Sequence, residues 1–124
     1  MRRAARLHLR RRGTAIVDTP EGILVVRGRG NTYLLPGGGA HRHESREKAA
    51  IRELEEETGL KALDSTFLFE YRGRINAHKV FLVRTSGTPE PRREIRQIAY
   101  SNGSNVKVSS TTRGIIERYL GGDA

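Results

Sequence analysis

The sequence predicts a single α/β domain in which two helices are interspersed with short strands. Two observations support this fold class: apolar runs of strand length end at Gly and Pro turn residues, and two longer segments carry helix start and stop residues. A chain of 124 residues is near the common domain size and can bury its own core. It contains no repeat, linker or low-complexity segment, so we predict that residues 1–124 form one domain.

The N-terminal third predicts strands. Gly13–Thr19 is an apolar run that ends at the turn 20–22, and a second run, 23–30, follows it, which predicts a hairpin. The run TYLLPGGG (32–39) is a third short strand, which Pro36 and three consecutive glycines should stop.

The first helix is predicted from Ser45 to Thr58, with Ser45 as its N-cap and Gly59 as its stop. Two β-rich runs, a proline-containing loop and a further strand come next, over 65–74, 78–87, 87–94 and 94–101. The segment 109–122 predicts a second helix, because a Ser/Thr cluster precedes apolar residues at helical spacing and glycines follow them.

Composition excludes several classes of site. The chain has no cysteine, which removes disulfides, thiolate nucleophiles and cysteine-based zinc or iron–sulfur centres. No apolar run has the length of a membrane span. The first twelve residues carry six arginines and lack the apolar block of a secretory signal, so we expect this arginine-rich segment, 1–12, to belong to a mature cytoplasmic protein.

The charge is distributed unevenly along the chain. The net charge is +9, yet residues 38–60 contain four basic and six acidic residues, which leaves +11 for the remainder. Such a background attracts polyanions, whether nucleotides, nucleic acid or polyphosphates.

Four glutamates are concentrated in the stretch RELEEETGL (52–60). At about 100° per residue, Glu53, Glu56 and Glu57 point within a third of a turn of one another, whereas Glu55 projects away and should be solvated. Oxygen ligands without Cys or His favour Mg²⁺ or Mn²⁺. Spacing alone leaves two interpretations open: a cation-binding carboxylate cluster and a solvated acidic helix face.

The loop PGGGAHRHE (36–44) joins a strand to this helix. Its glycines permit positive φ and close backbone approach, and a loop before a helix N-terminus can present N–H groups to an anion. Next to the carboxylates it indicates a diphosphate site, with Gly37, Gly38, Gly39 and His41 as candidate substrate contacts.

Nine residues of this region fit the pattern G-x5-E-x7-R-E-U-x-E-E-x-G-U, in which U is a bulky aliphatic residue. They are Gly38, Glu44, Arg52, Glu53, Leu54, Glu56, Glu57, Gly59 and Leu60. This pattern is the Nudix box, and the sequence therefore resembles the MutT-like Nudix hydrolases.

The resemblance implies an α/β/α sandwich with a mixed β-sheet, and hydrolysis of a nucleoside diphosphate linked to another group through metal-assisted attack of water on phosphorus. It implies Mg²⁺, or Mn²⁺, on Glu53, Glu56 and Glu57, with a backbone contact from Gly38 to metal or phosphate. Glu53 is our leading choice of general base.

The resemblance implies further roles. Glu44 and Arg52 should pair and orient the box, and Gly59 should end the helix, all three as structural residues. Glu94, from a later loop, should join the catalytic site as a ligand or base; the alternative is a surface residue paired with a neighbouring arginine.

The predicted substrate is a (d)NTP or a dinucleoside polyphosphate. A diphosphoinositol polyphosphate and a capped RNA end are alternatives that a basic protein also permits. From a different class, the chain could be a non-catalytic nucleic-acid-binding module of the same fold. The arginine-rich segment favours that role, and the intact glutamate set argues against it. The sequence does not predict an oligomeric state.

Overall fold

The structure is a computed structural model that describes residues 8–121. The strands are β1 (Arg10–Ile16), β2 (Asp18–Thr19), β3 (Gly22–Arg27), β4 (Gly37–Gly39), β5 (Lys61–Arg72), β6 (Asn76–Ser86) and β7 (Gln97–Ser101), and the helices are α1 (Arg46–Thr58) and α2 (Ser110–Gly121). Of the arginine-rich segment 1–12, residues 1–7 lie outside the described residues, and the last three arginines belong to β1.

The strands form two sheets. One has the order β4-β1-β6-β5, in which β1 is parallel to β6 and antiparallel to β4, so the sheet is mixed. The other has the order β2-β3-β7 and is antiparallel. The predicted α/β class with a mixed sheet is confirmed, and the second sheet is an addition that the sequence did not predict.

The two helices cover opposite faces of the mixed sheet. Along β1 and just beyond it, Ala15 and Val17 belong to one apolar cluster with Leu54 of α1. Ile16, between them, belongs to another cluster with Ile115 of α2. Because side chains alternate across a strand, the sheet lies between the helices, as in an α/β/α sandwich.

The predicted hairpin between 13–19 and 23–30 is wrong for most of the residues of its first strand, which do not pair with the second strand. Only β2 pairs with β3, and the residues before it lie in the other sheet as β1. The physical reason is burial on both faces: Thr14 to Val17 are all buried, as in a strand with neighbours on both sides. A continuous apolar run does not reveal its partner strand.

The three glycines predicted to stop a strand instead form β4, which pairs with β1 from Arg12↔Gly39 to Thr14↔Gly37. The residues before Pro36 make only isolated bridges, Val26↔Leu34 and Tyr33↔Val108. A strand without side chains carries no hydrophobic periodicity, so the sequence pattern could not predict it.

Helix α1 begins and ends where the sequence predicts. The Ser45 hydroxyl accepts a hydrogen bond from the Lys48 N–H at 3.0 Å, and Gly59 adopts φ 76° while its N–H donates to the Glu55 carbonyl. Neither helix within residues 8–121 is long and apolar enough to cross a membrane.

Candidate active site

A recess of about 360 Å³ is formed by α1, β4, β1 and the loop before β7. Its lining includes the carboxyl groups of Glu53, Glu57 and Glu94, together with the glycines of β4 and Arg12 of β1. The structure thus brings together three acids that lie up to 41 positions apart in the sequence.

Glu56 faces a different side of α1. It lines a neighbouring surface groove together with Arg52 and Arg93. The carboxylate oxygens of Glu56 lie 3.6 Å from a guanidinium nitrogen of Arg52 and 3.7 Å from one of Arg93. Glu56 and Glu57 are one residue apart and therefore about 100° apart around the helix, with Glu53 between them in angle. The orientation of α1 on the sheet points Glu57 inward and Glu56 outward.

Glu57 is a buried acid, with only 6% of its surface exposed. Its Oε1 accepts a hydrogen bond from the Gly37 N–H at 3.3 Å. The pKa of Glu57 is raised to about 8, chiefly by burial and then by the negative charges of Glu53 and Glu94. The Gly37 N–H and Arg12 act in the opposite direction. A cation in the recess would relieve this repulsion and favour the ionised carboxylate.

The glycines of β4 allow the acids to approach the strand. A Cβ on Gly38 would lie 2.5 Å from Cδ of Glu53, so any side chain at this position would occupy the space of the Glu53 carboxylate. Gly37 adopts φ 151°, which favours glycine, and a Cβ there would collide with the Gly13 carbonyl. Gly39, by contrast, has room for a Cβ and carries only its backbone to the recess.

Arg52 connects α1 to the loop that precedes it. Its Nε and Nη2 donate to the two carboxylate oxygens of Glu44 at 2.8 and 3.0 Å, a bidentate pair. Its Nη2 also donates to the Gly39 carbonyl at 3.2 Å, and its Nη1 donates to Oε2 of Glu53 at 3.1 Å. One guanidinium therefore fixes the loop, the end of β4 and a carboxylate of the recess relative to one another.

His41 contacts the same pair from outside. Its backbone N–H donates to Oε1 of Glu44 at 2.8 Å, while its side chain is 70% exposed and does not line the recess. The hydrogen bonds from Arg52, chiefly, and from His41 lower the pKa of Glu44 to about 2. The backbone of His41 thus supports the loop, whereas its imidazole lies away from the predicted substrate contacts.

Three further predicted residues occupy distinct positions. Glu94 is exposed and lines the recess, and within residues 8–121 its carboxylate makes no ion pair. Gly59 ends α1 in the left-handed conformation. Glu55 projects away from the recess, as expected, but it is only half-exposed and not simply solvated, because its Oε2 accepts a hydrogen bond from the Ala62 N–H at 2.9 Å, at the start of β5.

Arg12 is a site residue that the sequence analysis missed. It donates to the Leu35 carbonyl at 3.1 Å and to the Thr14 hydroxyl at 3.3 Å. Burial lowers the pKa of Arg12, and the nearby carboxylates of Glu57 and Glu53 offset this effect only in part. No signal in the sequence separates it from the arginines around it, because only the pairing of β1 with β4 brings it to the recess.

The recess offers the oxygen donors that a hard divalent cation prefers, since its acids are glutamates and it contains neither His nor Cys. Within the described part of the chain, no three His, Cys, Asp or Glu side chains converge closely enough to hold an ion in their present rotamers. The chemistry of the donor set therefore fits Mg²⁺ or Mn²⁺, while Glu53 is held by Arg52 and Glu57 by the Gly37 N–H.

Two comparisons with known proteins identify the same family. The family model of the NUDIX domain matches residues 8–106. A protein from Chromobacterium violaceum assigned to the nudix hydrolase family is 42% identical, with a TM-score of 0.83 over 91% of this chain and 77% of that chain. A search of curated proteins gives no match.

Two more distant structures share the fold alone. A MutT NUDIX hydrolase from Burkholderia pseudomallei is 22% identical, with a TM-score of 0.77 over 89% of this chain and 97% of that chain. An ADP-ribose pyrophosphatase from Streptococcus suis is 16% identical, with a TM-score of 0.71 over 91% and 88% of the two chains. The resemblance seen in the sequence is thus confirmed: this chain belongs to the Nudix hydrolase family.

Proposed function

We propose that this enzyme is a divalent-cation-dependent pyrophosphohydrolase that cleaves a nucleoside diphosphate linked to another group. The observation that carries the proposal is that Glu53, Glu57 and Glu94 line one recess. A buried acid with a raised pKa, in a recess with further acids, is typical of catalytic and ion-binding sites. The relatives that share the fold include enzymes named for pyrophosphate hydrolysis.

Glu53 and Glu57 would hold the cation, with Glu94 and the backbone of Gly38 beside them. Glu56 lies close to Glu53, because Nη1 of Arg52 is 3.6 Å from the Glu56 carboxylate and 3.1 Å from that of Glu53. A change of rotamer would therefore bring Glu56 to the cation. When bound, Mg²⁺ or Mn²⁺ would neutralise the diphosphate oxygens and lower the pKa of a water molecule.

Glu53 is the proposed general base. Its Oε2 accepts the hydrogen bond from Arg52, and within residues 8–121 no donor bonds to its Oε1, which is available to accept a proton. As a water oxygen attacks phosphorus and the bridging P–O bond breaks, the proton of that water passes to this oxygen. Arg52, held by Glu44, keeps the carboxylate in position.

The proposed substrates are (d)NTPs and dinucleoside polyphosphates. Positive charge supports this choice, because Arg10 and Arg12 of β1 line the recess together with the glycines of β4. Guanidinium groups beside a carboxylate site suit a chain of phosphates that extends past the cation.

The test is a nucleotide panel assayed with and without Mg²⁺, using wild type, Glu57→Gln and the control Glu117→Gln on the exposed face of α2. We expect hydrolysis only with the cation. In Glu57→Gln kcat should fall about a hundredfold or more, whereas Glu117→Gln should keep the kcat of wild type. Full activity of Glu57→Gln, or no hydrolysis of any compound by wild type under any metal condition, would overturn the proposal.

A further inference from the structure

A second cavity, of about 590 Å³, adjoins the carboxylate recess. It is formed by β1, the turn between β5 and β6, the start of β6 and the first turn of α2. The two spaces have Arg10, Arg12, Leu34, Leu35 and Gly39 in common. A group attached to a diphosphate in the recess would therefore lie next to this cavity.

The cavity has a cationic lining. Arg10, Arg12 and Arg74 contribute to it, and its lining residues include no Asp or Glu. Over residues 8–121, the side chains of Arg10 and Arg74 have neither a hydrogen-bond acceptor nor a carboxylate partner. His78, which also lines the cavity, adds no charge at neutral pH, because burial lowers its pKa to about 4.

The cavity is poorly suited to stacking a nucleobase. Its lining contains no Phe, Tyr or Trp, and its apolar part consists of aliphatic Leu and Ile side chains. Three hydroxyl-bearing residues, Ser109, Thr111 and Thr112, complete the wall on the side of α2. Aromatic side chains are the common platforms for bases, whereas guanidinium and hydroxyl groups are hydrogen-bond donors for phosphoryl oxygens.

We propose that this cavity binds a phosphoryl group of the substrate outside the scissile diphosphate, with Arg10 and Arg74 as its ligands. The inference rests on the proposed function, because it assumes that the diphosphate lies in the carboxylate recess. An anion bound in the cavity satisfies guanidinium donors that, over residues 8–121, have no acceptor within the protein. Substrates with phosphates beyond the scissile pair are then preferred to those with two phosphates only.

Binding of inorganic pyrophosphate to the metal-free protein in EDTA tests the cavity without hydrolysis. Calorimetry would compare wild type, Arg10→Gln, Arg74→Gln and the control Arg72→Gln. Arg72 is exposed on β5, carries the same charge and does not line the cavity. We expect affinity about tenfold weaker in Arg10→Gln and Arg74→Gln, and unchanged in the control. Equal affinity in all four proteins, or no binding by wild type, overturns the inference.

Turnover with Mg²⁺ then tests substrate preference with diadenosine diphosphate and diadenosine tetraphosphate, which carry the same nucleosides and differ by two phosphates. Wild type should favour the tetraphosphate in kcat/KM, and the preference should shrink about tenfold in Arg10→Gln and Arg74→Gln. A preference unchanged in both variants contradicts the inference. If no compound of the nucleotide panel is hydrolysed while the binding differences hold, the proposed function fails and the anion cavity stands.

Discussion

At the scale of single residues, Glu57 and Glu56 show how one position changes the chemistry of a carboxylate. Glu57 is buried beside Glu53 and Glu94, and its pKa rises to about 8. Glu56, the preceding residue, is engaged by two arginines at the surface. Spacing on a helix gives the angle between side chains, whereas only the packing of α1 decides which of them faces the recess.

The contact between Gly38 and Glu53 leads to a prediction about activity. Gly38→Ala would place a methyl group where the Glu53 carboxylate lies, so Glu53 must shift and kcat should fall at least about tenfold. Gly30→Ala is the matched control, because a Cβ there has open space around it. Steady-state kinetics of both variants would check this, and equal activity of the two would contradict the proposed role of Glu53.

At the scale of elements, α1 is positioned by close contact with β1. A Cβ on Gly13 would collide with the Arg46 carbonyl and lie 2.6 Å from the Ala50 N–H nitrogen, both in the helix backbone. Ala50 itself is fully buried. The helix that carries the glutamates therefore lies directly on a strand, without side chains between the two backbones at this point.

Gly13→Ala should therefore destabilise the fold by at least about 2 kcal/mol, because a helix backbone cannot move aside as a flexible side chain can. Urea unfolding would show a lower midpoint for Gly13→Ala than for Gly30→Ala. A midpoint equal to that of wild type would mean that α1 does not pack on β1 as closely as described.

The fold was predictable from the sequence wherever the signal is local. Ser45 and Gly59 mark the ends of α1 through their own conformations, and the apolar runs mark most strands. The partner of β1 and the existence of β4 were not predictable, because pairing between distant segments and a strand of three glycines leave no periodic pattern.

At the scale of the whole molecule, the buried pair Thr14 and His78 couples stability to pH. Their side chains are 2.8 Å apart, and burial, then the charge of Arg12, lower the pKa of His78 from 6.5 to about 4. Between these values the unfolded chain binds a proton that the folded protein does not. Stability from His78 is therefore complete above pH 6.5 and falls as the pH drops towards 4.

The expected loss over that interval is on the order of 3 kcal/mol. His78→Gln keeps a polar group next to Thr14 and removes the titration, so its free energy of unfolding should fall less between pH 6.5 and 4. Protonation of Glu57 favours the folded state as the pH falls, and it does so equally in wild type and in His78→Gln. The contribution of His78 is therefore the difference between the two curves of unfolding free energy against pH. Chemical denaturation in EDTA at several pH values would measure it, and parallel curves would contradict the assignment.

The sequence by itself determined the family, the Nudix box and the limits of the acidic helix, because these depend on residue identity and short-range spacing. The tertiary structure decided which glutamates share the recess, and it brought Glu94 and Arg12 to them. It also placed Arg10 and Arg74 around one cavity. These placements depend on strand pairing and on the rotation of α1 against the sheet, which no local pattern encodes.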